Sequence, residues 1–417
     1  MTGLKKWLRA AGDYLKSCFV WLLTAAVIGS VCGLVGSAFH LAVEKVTDIR
    51  LSLPWLIYLL PVGALMIAGI YRVTKTEGEG TNNIIDSIHD GESVPVVLVP
   101  VIFAATVITH LFGGSAGREG AALQIGGGIG FNIGRAMRLD EKDMRLVTLC
   151  GMSAVFAALF GTPLTAAVFA LEVISVGILY YSGFLPCLIS STVAYGISRL
   201  CGIKPMRFAI AAQHLDVLML IRVCILGVVC ALVSILFCVA MHKTEQLASS
   251  RVKNIYLRGA LGGAAIVLLT LIVGTDDYNG IGIALIERAL SGEAIPDWAF
   301  FWKIVFTAVT IGFGMKGGEI VPTFFIGAAI GAVFAPLIDM PAAFGAAIGL
   351  VAVFCGAVNC PVASIMLSVE LFGSGGLVYF ALACGVSYML SGYFGLYSSQ
   401  KIMYSKTKAE FINRYAE

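Results

Sequence analysis

The sequence predicts an all-α polytopic membrane protein made of two related halves, and three observations carry that expectation. The first is apolarity. Of 417 residues, 59% are hydrophobic and only 13% charged, and the mean hydropathy of +0.91 is far above that of a soluble globule. The second is segment length. Apolar runs near 17–43, 54–71, 94–112, 147–174, 217–241, 257–274 and 299–314, and several between 321 and 394, are long enough to cross a bilayer or nearly so. Glycine interrupts them too often for the alternating pattern of a barrel, and an open strand edge in lipid would leave backbone groups unpaired.

The third observation is an internal repeat at an offset of 198 residues. Residues 29–45 and 227–243 share eight of 17 positions, and residues 151–172 and 349–370 share six of 22, Pro163 and Pro361 among them. Two matches in one register argue against shared composition alone. The same offset lays Arg118 over Lys316 and Gly120 over Gly318, so each half carries one glycine-rich break, at 112–132 and 312–328. Paired breaks mark the substrate site in transporters built from repeats. The boundary is expected near 200–216, giving repeats over 1–205 and 206–400 and a short tail, 401–417, with no regulatory domain. Whether the halves are parallel or inverted depends on the crossings per half, which runs too short to span leave open.

A net charge of +3 gives no reason to expect nucleic acid as a partner. Its distribution is more informative. Lys5, Lys6, Arg9 and Lys16 precede the first apolar run and Lys401, Lys406, Lys408 and Arg414 follow the last, which places both ends in the cytoplasm and requires an even number of full crossings. Residues 1–18 are basic and amphipathic, and they lead into a run too long for a signal peptide, so an uncleaved interfacial helix is expected there. Eleven cysteines scattered singly through apolar segments read as small core hydrophobes, with no disulfide, structural metal or cofactor called for. His40, His89, His110, His214 and His242 are dispersed and read as structural, residues 135–146 as a solvated loop or helix end, and Glu172 and Glu370 as structural acids at equivalent helix ends.

Residues 112–132, FGGSAGREGAALQIGGGIGFN, set eight glycines around one charged pair, Arg118 and Glu119. Each charge at membrane depth costs at least ~2.5–3.5 kcal/mol to insert and usually marks an ion or proton path. A helix starting at Gly120 would present unpaired N–H donors and a partial positive charge, which suit an anion. The alternative reading of the glycines is a close crossing of packed helices.

Four motifs, GREGA at 117–121, GEGTN at 78–82, GGEIVP at 317–322 and GLYSSQKI at 395–402, together resemble the CLC anion channels and transporters over nearly the whole chain. The resemblance implies a homodimer in the lipid bilayer, each subunit with its own anion path built from two inverted repeats of tilted and broken helices. Glu119 matches the gating glutamate, whose carboxylate competes with the anion and leaves when protonated. Tyr397 matches the central tyrosine that donates to the ion, and the backbone N–H groups of Ile320 and Val321 match those lining the site from the second half. Arg118 and Gly120 match the residues flanking the gate.

The departures point within the family. Glu79 stands where chloride-selective members carry serine, Ala121 follows Gly120 where they carry proline, and Val173 replaces the inner proton glutamate of many chloride/proton exchangers. With Glu319 in the GGE-x-x-P element, the pattern resembles the bacterial fluoride branch, where a carboxylic acid can donate to a strongly hydrated ion. Val321 departs from the hydroxyl residue that branch can hold. The expected function is fluoride/proton antiport for fluoride export across the inner membrane of a bacterium, with chloride/proton antiport or a passive anion channel as alternatives. No Ser-His-Asp set, paired catalytic carboxylates or metal cluster suggests an enzyme.

Overall fold

The computed structural model describes residues 2–211 and 215–417, so His214 lies outside the described residues. The first half comprises α1 (Thr2–Ser52), α2 (Leu60–Thr74), α3 (Thr81–Asp90), α4 (Leu98–Leu111), α5 (Glu119–Ala136), α6 (Glu141–Phe160), α7 (Pro163–Glu172) and α8 (Phe184–Leu200). The second comprises α9 (Val217–Arg251), α10 (Ile255–Val273), α11 (Ile283–Leu290), α12 (Ala299–Gly312), α13 (Ile320–Phe334), α14 (Ala342–Val358), α15 (Pro361–Phe372) and α16 (Leu377–Leu390). Leu23, Val27 and Leu34 on α1 and Leu218, Ile221, Ile225 and Leu232 on α9 are exposed apolar side chains of the kind a bilayer covers. Among the described residues, six helices are long and apolar enough to cross.

Two local expectations change. The basic N-terminal segment is not a separate interfacial helix but continues into the first apolar run as the single helix α1, because neither glycine nor proline breaks the chain decisively there. The run at 147–174 is two helices. Gly161 at φ +72° and Pro163 in the first turn of α7 stop one helix and start the next, since proline has no N–H to continue the ladder. Asn359 at φ +59° and Pro361 repeat the device 198 residues later.

The halves are turned over relative to each other. Glu172, at the end of α7, accepts the N–H groups of Val362 and Ala363 at 3.1 and 2.8 Å, capping the start of α15. Glu370, in α15, accepts those of Leu164 and Thr165 at 3.1 and 2.8 Å, capping the start of α7. Such a reciprocal exchange is what a two-fold axis between equivalent elements produces. Both acids therefore do structural work at helix ends.

The repeat register is not constant. Gly126 packs on Gly151 so closely that a Cβ would lie 2.2 Å from the Gly151 carbonyl oxygen, and Gly327 meets Gly349 in the same way at 2.2 Å. The second member of each pair is offset by 198 residues, the first by 201. The second half carries three extra residues before α12 and loses three between α13 and α14. Arg118 is therefore equivalent to Glu319, Glu119 to Ile320 and Gly117 to Gly318, which corrects the pairing of Arg118 with Lys316.

The tail contains two strands and no helix. Strands β1 (Ser175–Val176), β2 (Lys401–Tyr404) and β3 (Phe411–Tyr415) form a small sheet in that order, β1 parallel to β2 and β2 antiparallel to β3. Gln400 anchors it by donating to the carbonyls of Val173 and Val358 at 2.8 and 2.9 Å, and Lys406 donates to Ser391 at 2.9 Å. The Gln400 backbone N–H also donates to the Tyr397 carbonyl at 3.0 Å, tying Tyr397 to the start of the sheet. All eleven cysteines are free thiols, and eight of them are buried.

Candidate functional site: a buried acid where two helix starts meet

The starts of α5 and α13 face each other. Gly117 and Gly318 exchange two backbone hydrogen bonds, N–H to O=C in both directions at 2.7 Å, as an isolated antiparallel bridge. Only glycine fits. A Cβ on Gly318 would stand 2.3 Å from the Gly120 nitrogen, and one on Gly117 would stand 2.5 Å from the Glu119 carboxylate. Two helix N-termini, each with free N–H donors and roughly half a positive charge, thus converge on one point.

Glu119 occupies that point and is 1% exposed. Its Oε2 accepts the Arg118 backbone N–H at 2.8 Å, and the backbone N–H groups of Glu119 and Val321 lie near enough to favour its charged form. The amides of both halves therefore face one acid. Ile320 and Val321, 0% and 1% exposed, form the first turn of α13 beside it. Arg118 approaches less closely, its Nε lying 3.5 Å from Glu119 Oε1 without a hydrogen bond.

Two cavities flank this acid, which lines neither. The first, about 280 Å³, is lined by Glu319, Tyr397 and Glu79 together with Lys316, Glu245 and Arg258. Glu319 Oε2, Tyr397 OH, Tyr71 OH and Gln124 Oε1 all border it, buried and without a hydrogen-bond partner. Unpaired polar atoms converging on one space mark a place for water or a polar guest. Glu319 Oε2 lies directly over Gly120, where a Cβ would come within 2.7 Å of it. The second cavity, about 540 Å³, is bordered by Arg118, Arg50 and His40.

The sequence reading gathered Arg118, Glu319 and Tyr397 around one pocket, and the structure divides them. Arg118 faces the second cavity and Glu319 and Tyr397 the first, because Arg118 and Glu319 are equivalent residues of two halves turned over relative to each other. Gly120 serves the close approach of Glu319. Glu79 is half-buried on the loop after α2 and faces the first cavity. Burial and the neighbouring Glu92 push its carboxyl above the usual range, and Lys316 partly opposes this.

Sequence reasoning named Lys316 only as the counterpart of Arg118 and did not name Lys303. Lys316 donates to the Glu79 carbonyl at 3.2 Å and sits 4.6 Å over the Tyr71 ring. Lys303, 0% exposed, clamps the loop before α11 by donating to the carbonyls of Tyr278 and Gly280 at 3.1 and 2.8 Å. A lone lysine inside the apolar run AFFWKIVFTAVTIG was a readable signal, since such charges are rarely unexplained. His89, His110 and His242 bond backbone carbonyls of Ile174, Thr106 and Leu396.

A multi-pass membrane protein with a buried acid between two facing helix starts is the class of protein that this fold and site define. The chain belongs to the family whose model is described as voltage gated chloride channel, which matches residues 62–392. It is similar to a chloride/fluoride channel protein of Pseudomonas syringae pv. tomato, 36% identical over 94% of this chain and 89% of the relative. An H(+)/Cl(-) exchange transporter of Vibrio campbellii is 27% identical over 85% of this chain and 82% of its own. The crystal structure of a CLC-type fluoride/proton antiporter superposes with a TM-score of 0.89 at 31% identity, covering 92% of this chain and 98% of that one.

Proposed function

We propose that this chain exports fluoride in exchange for protons across the inner membrane of a bacterial cell, with Glu119 as the group that couples the two. The observation that carries this reading is the position of the buried Glu119 carboxylate, which accepts the Arg118 N–H between the facing starts of α5 and α13, where an anion would otherwise sit. Two negative charges 4 Å apart repel by about 4 kcal/mol at an effective dielectric of 20, or roughly a thousandfold in affinity. Anion and ionised acid therefore exclude each other, while a protonated Glu119 can turn aside and admit the anion. One proton and one anion alternate at one place.

Glu319 and Tyr397, facing the first cavity with unpaired atoms, receive the ion on one side of Glu119. A protonated Glu319 and the Tyr397 hydroxyl supply the strong donors that fluoride needs in place of water. The end of α1 lines the second cavity and Ser398 lines the first, so the start of α1 and the C-terminal sheet lie toward the same face. Basic residues at both ends make that face cytoplasmic. The family resemblance makes the chain a homodimer, and each subunit carries its own path, because both cavities and the acid between them are built from a single chain.

Reconstitution tests the reading directly. With an outward fluoride gradient across liposomes, fluoride efflux is expected to drive proton uptake, and chloride to move far more slowly. Chloride moving as readily as fluoride would make the chain a chloride/proton exchanger, and fluoride efflux without proton movement would make it a channel.

A further inference from the structure

The floor and the rim of the second cavity differ. Its rim carries both signs in exposed positions, Lys204 and Arg207 against Glu44, Asp276 and Glu287. Its floor has two nearly buried cations, Arg50 at 8% exposure and Arg118 at 6%. The Nε atoms of both lack a hydrogen-bond partner, and among the described residues no carboxylate lies within ion-pair distance of Arg50. The negative charge that acts on it is that of the exposed Asp276. A buried guanidinium without a close partner is strongly destabilising, so a persistent one implies a counter-charge that comes and goes.

Packing, not pairing, fixes Arg50. Its side chain runs over two turns, at Gly113 and Gly280, both with positive φ, where an added Cβ would meet the Arg50 side chain at 3.3 and 3.2 Å. The first turn of α11, residues 282–285, forms another wall of the same cavity, and a helix start adds partial positive charge. Glu119 does not line this cavity, so whatever binds here is separated from the carboxylate's own position by Arg118.

We infer that the floor of this second cavity is an anion station, formed by the guanidinium groups of Arg50 and Arg118, which takes a small inorganic anion independently of the Glu119 position. The station rests on the reading of the chain as an anion transporter and adds a resting place on the far side of the gate. An ion leaving the Glu119 gap is captured there before it reaches the mixed charges of the rim. Unlike the gap, the station is not occupied by the Glu119 carboxylate, which approaches it only at the Arg118 Nε, 3.5 Å away.

Calorimetric titration of the full-length purified chain with sodium fluoride tests this, comparing wild type with R50M, R50K and E119Q. Loss of a charge-assisted hydrogen bond predicts that R50M weakens one binding event per chain by about tenfold to a hundredfold while the other remains. R50K should largely restore it, and E119Q should keep it. Unchanged binding in a folded R50M, judged by gel filtration, would overturn the station. Should R50M not fold, wild-type crystals soaked in bromide decide the matter: anomalous density between Arg50 and Arg118 supports the station, and density confined to Lys204 and Arg207, or none, refutes it. Failure of proton coupling in liposomes with this binding event intact would instead reject only the antiport reading.

Discussion

The starts of α5 and α13 share a backbone and differ in charge. Each begins beside a glycine of the reciprocal bridge, Gly117 or Gly318, and each runs into a glycine crossing at Gly126 or Gly327. In the first half the acid is the first helical residue, Glu119, which fills the gap between the helices. In the second half the equivalent residue is Ile320, and the acid stands one position earlier, as Glu319, facing a cavity. Symmetric amides make a place that suits an anion from either half. The side chains are asymmetric, with Glu319 and Tyr397 on one side of Glu119 and Arg118 on the other.

The largest expected effect breaks that asymmetry. Glu119→Gln should reduce fluoride-driven proton movement in liposomes to background, since the group that alternates with the anion no longer titrates. The reciprocal bridge comes next. Gly318→Ala places a methyl 2.3 Å from the Gly120 nitrogen, so the two helix starts must separate, and a loss of about 1–3 kcal/mol should appear as a lower melting temperature in detergent together with weakened fluoride binding. Retained stability and affinity would show that the helix starts need not touch.

The caps of α7 and α15 sharpen the comparison, because there the halves are alike in charge as well as backbone. Glu172→Gln and Glu370→Gln should each destabilise by about 0.5–2 kcal/mol, by similar amounts, with proton coupling retained. A selective loss of coupling in either would move that acid from structure to transport. The smallest effect is expected for Tyr397→Phe, which removes one donor and should weaken fluoride binding by about 0.5–1.5 kcal/mol.

Much of this was legible in the sequence. Hydropathy gave the class, and the repeat gave two halves because α1 and α9, and the proline breaks at Pro163 and Pro361, keep a common offset. Glu119 stood out as a charge among glycines. What could not be read has physical causes. A three-residue gain and loss within the second half is invisible to a fixed offset, so Arg118 was matched to Lys316 rather than Glu319. Glycines with different tasks look alike in a string: Gly117 and Gly120 serve the site, while Gly126 lets helices cross. Arg50 and Lys316 belong to cavities assembled from distant segments, and no local pattern announces them. The sheet linking 175–176 to 401–404 pairs strands too short to show a period.

The central claim is that one acid and one anion compete for a single place. Fluoride affinity measured against pH tests it, in wild type and in Glu119→Gln, from mildly alkaline to mildly acidic solution. The account predicts that the Glu119-linked affinity of the wild type rises as pH falls, because protonation removes the repelling charge, and that this dependence vanishes in the variant. The same pH dependence in both proteins would contradict it.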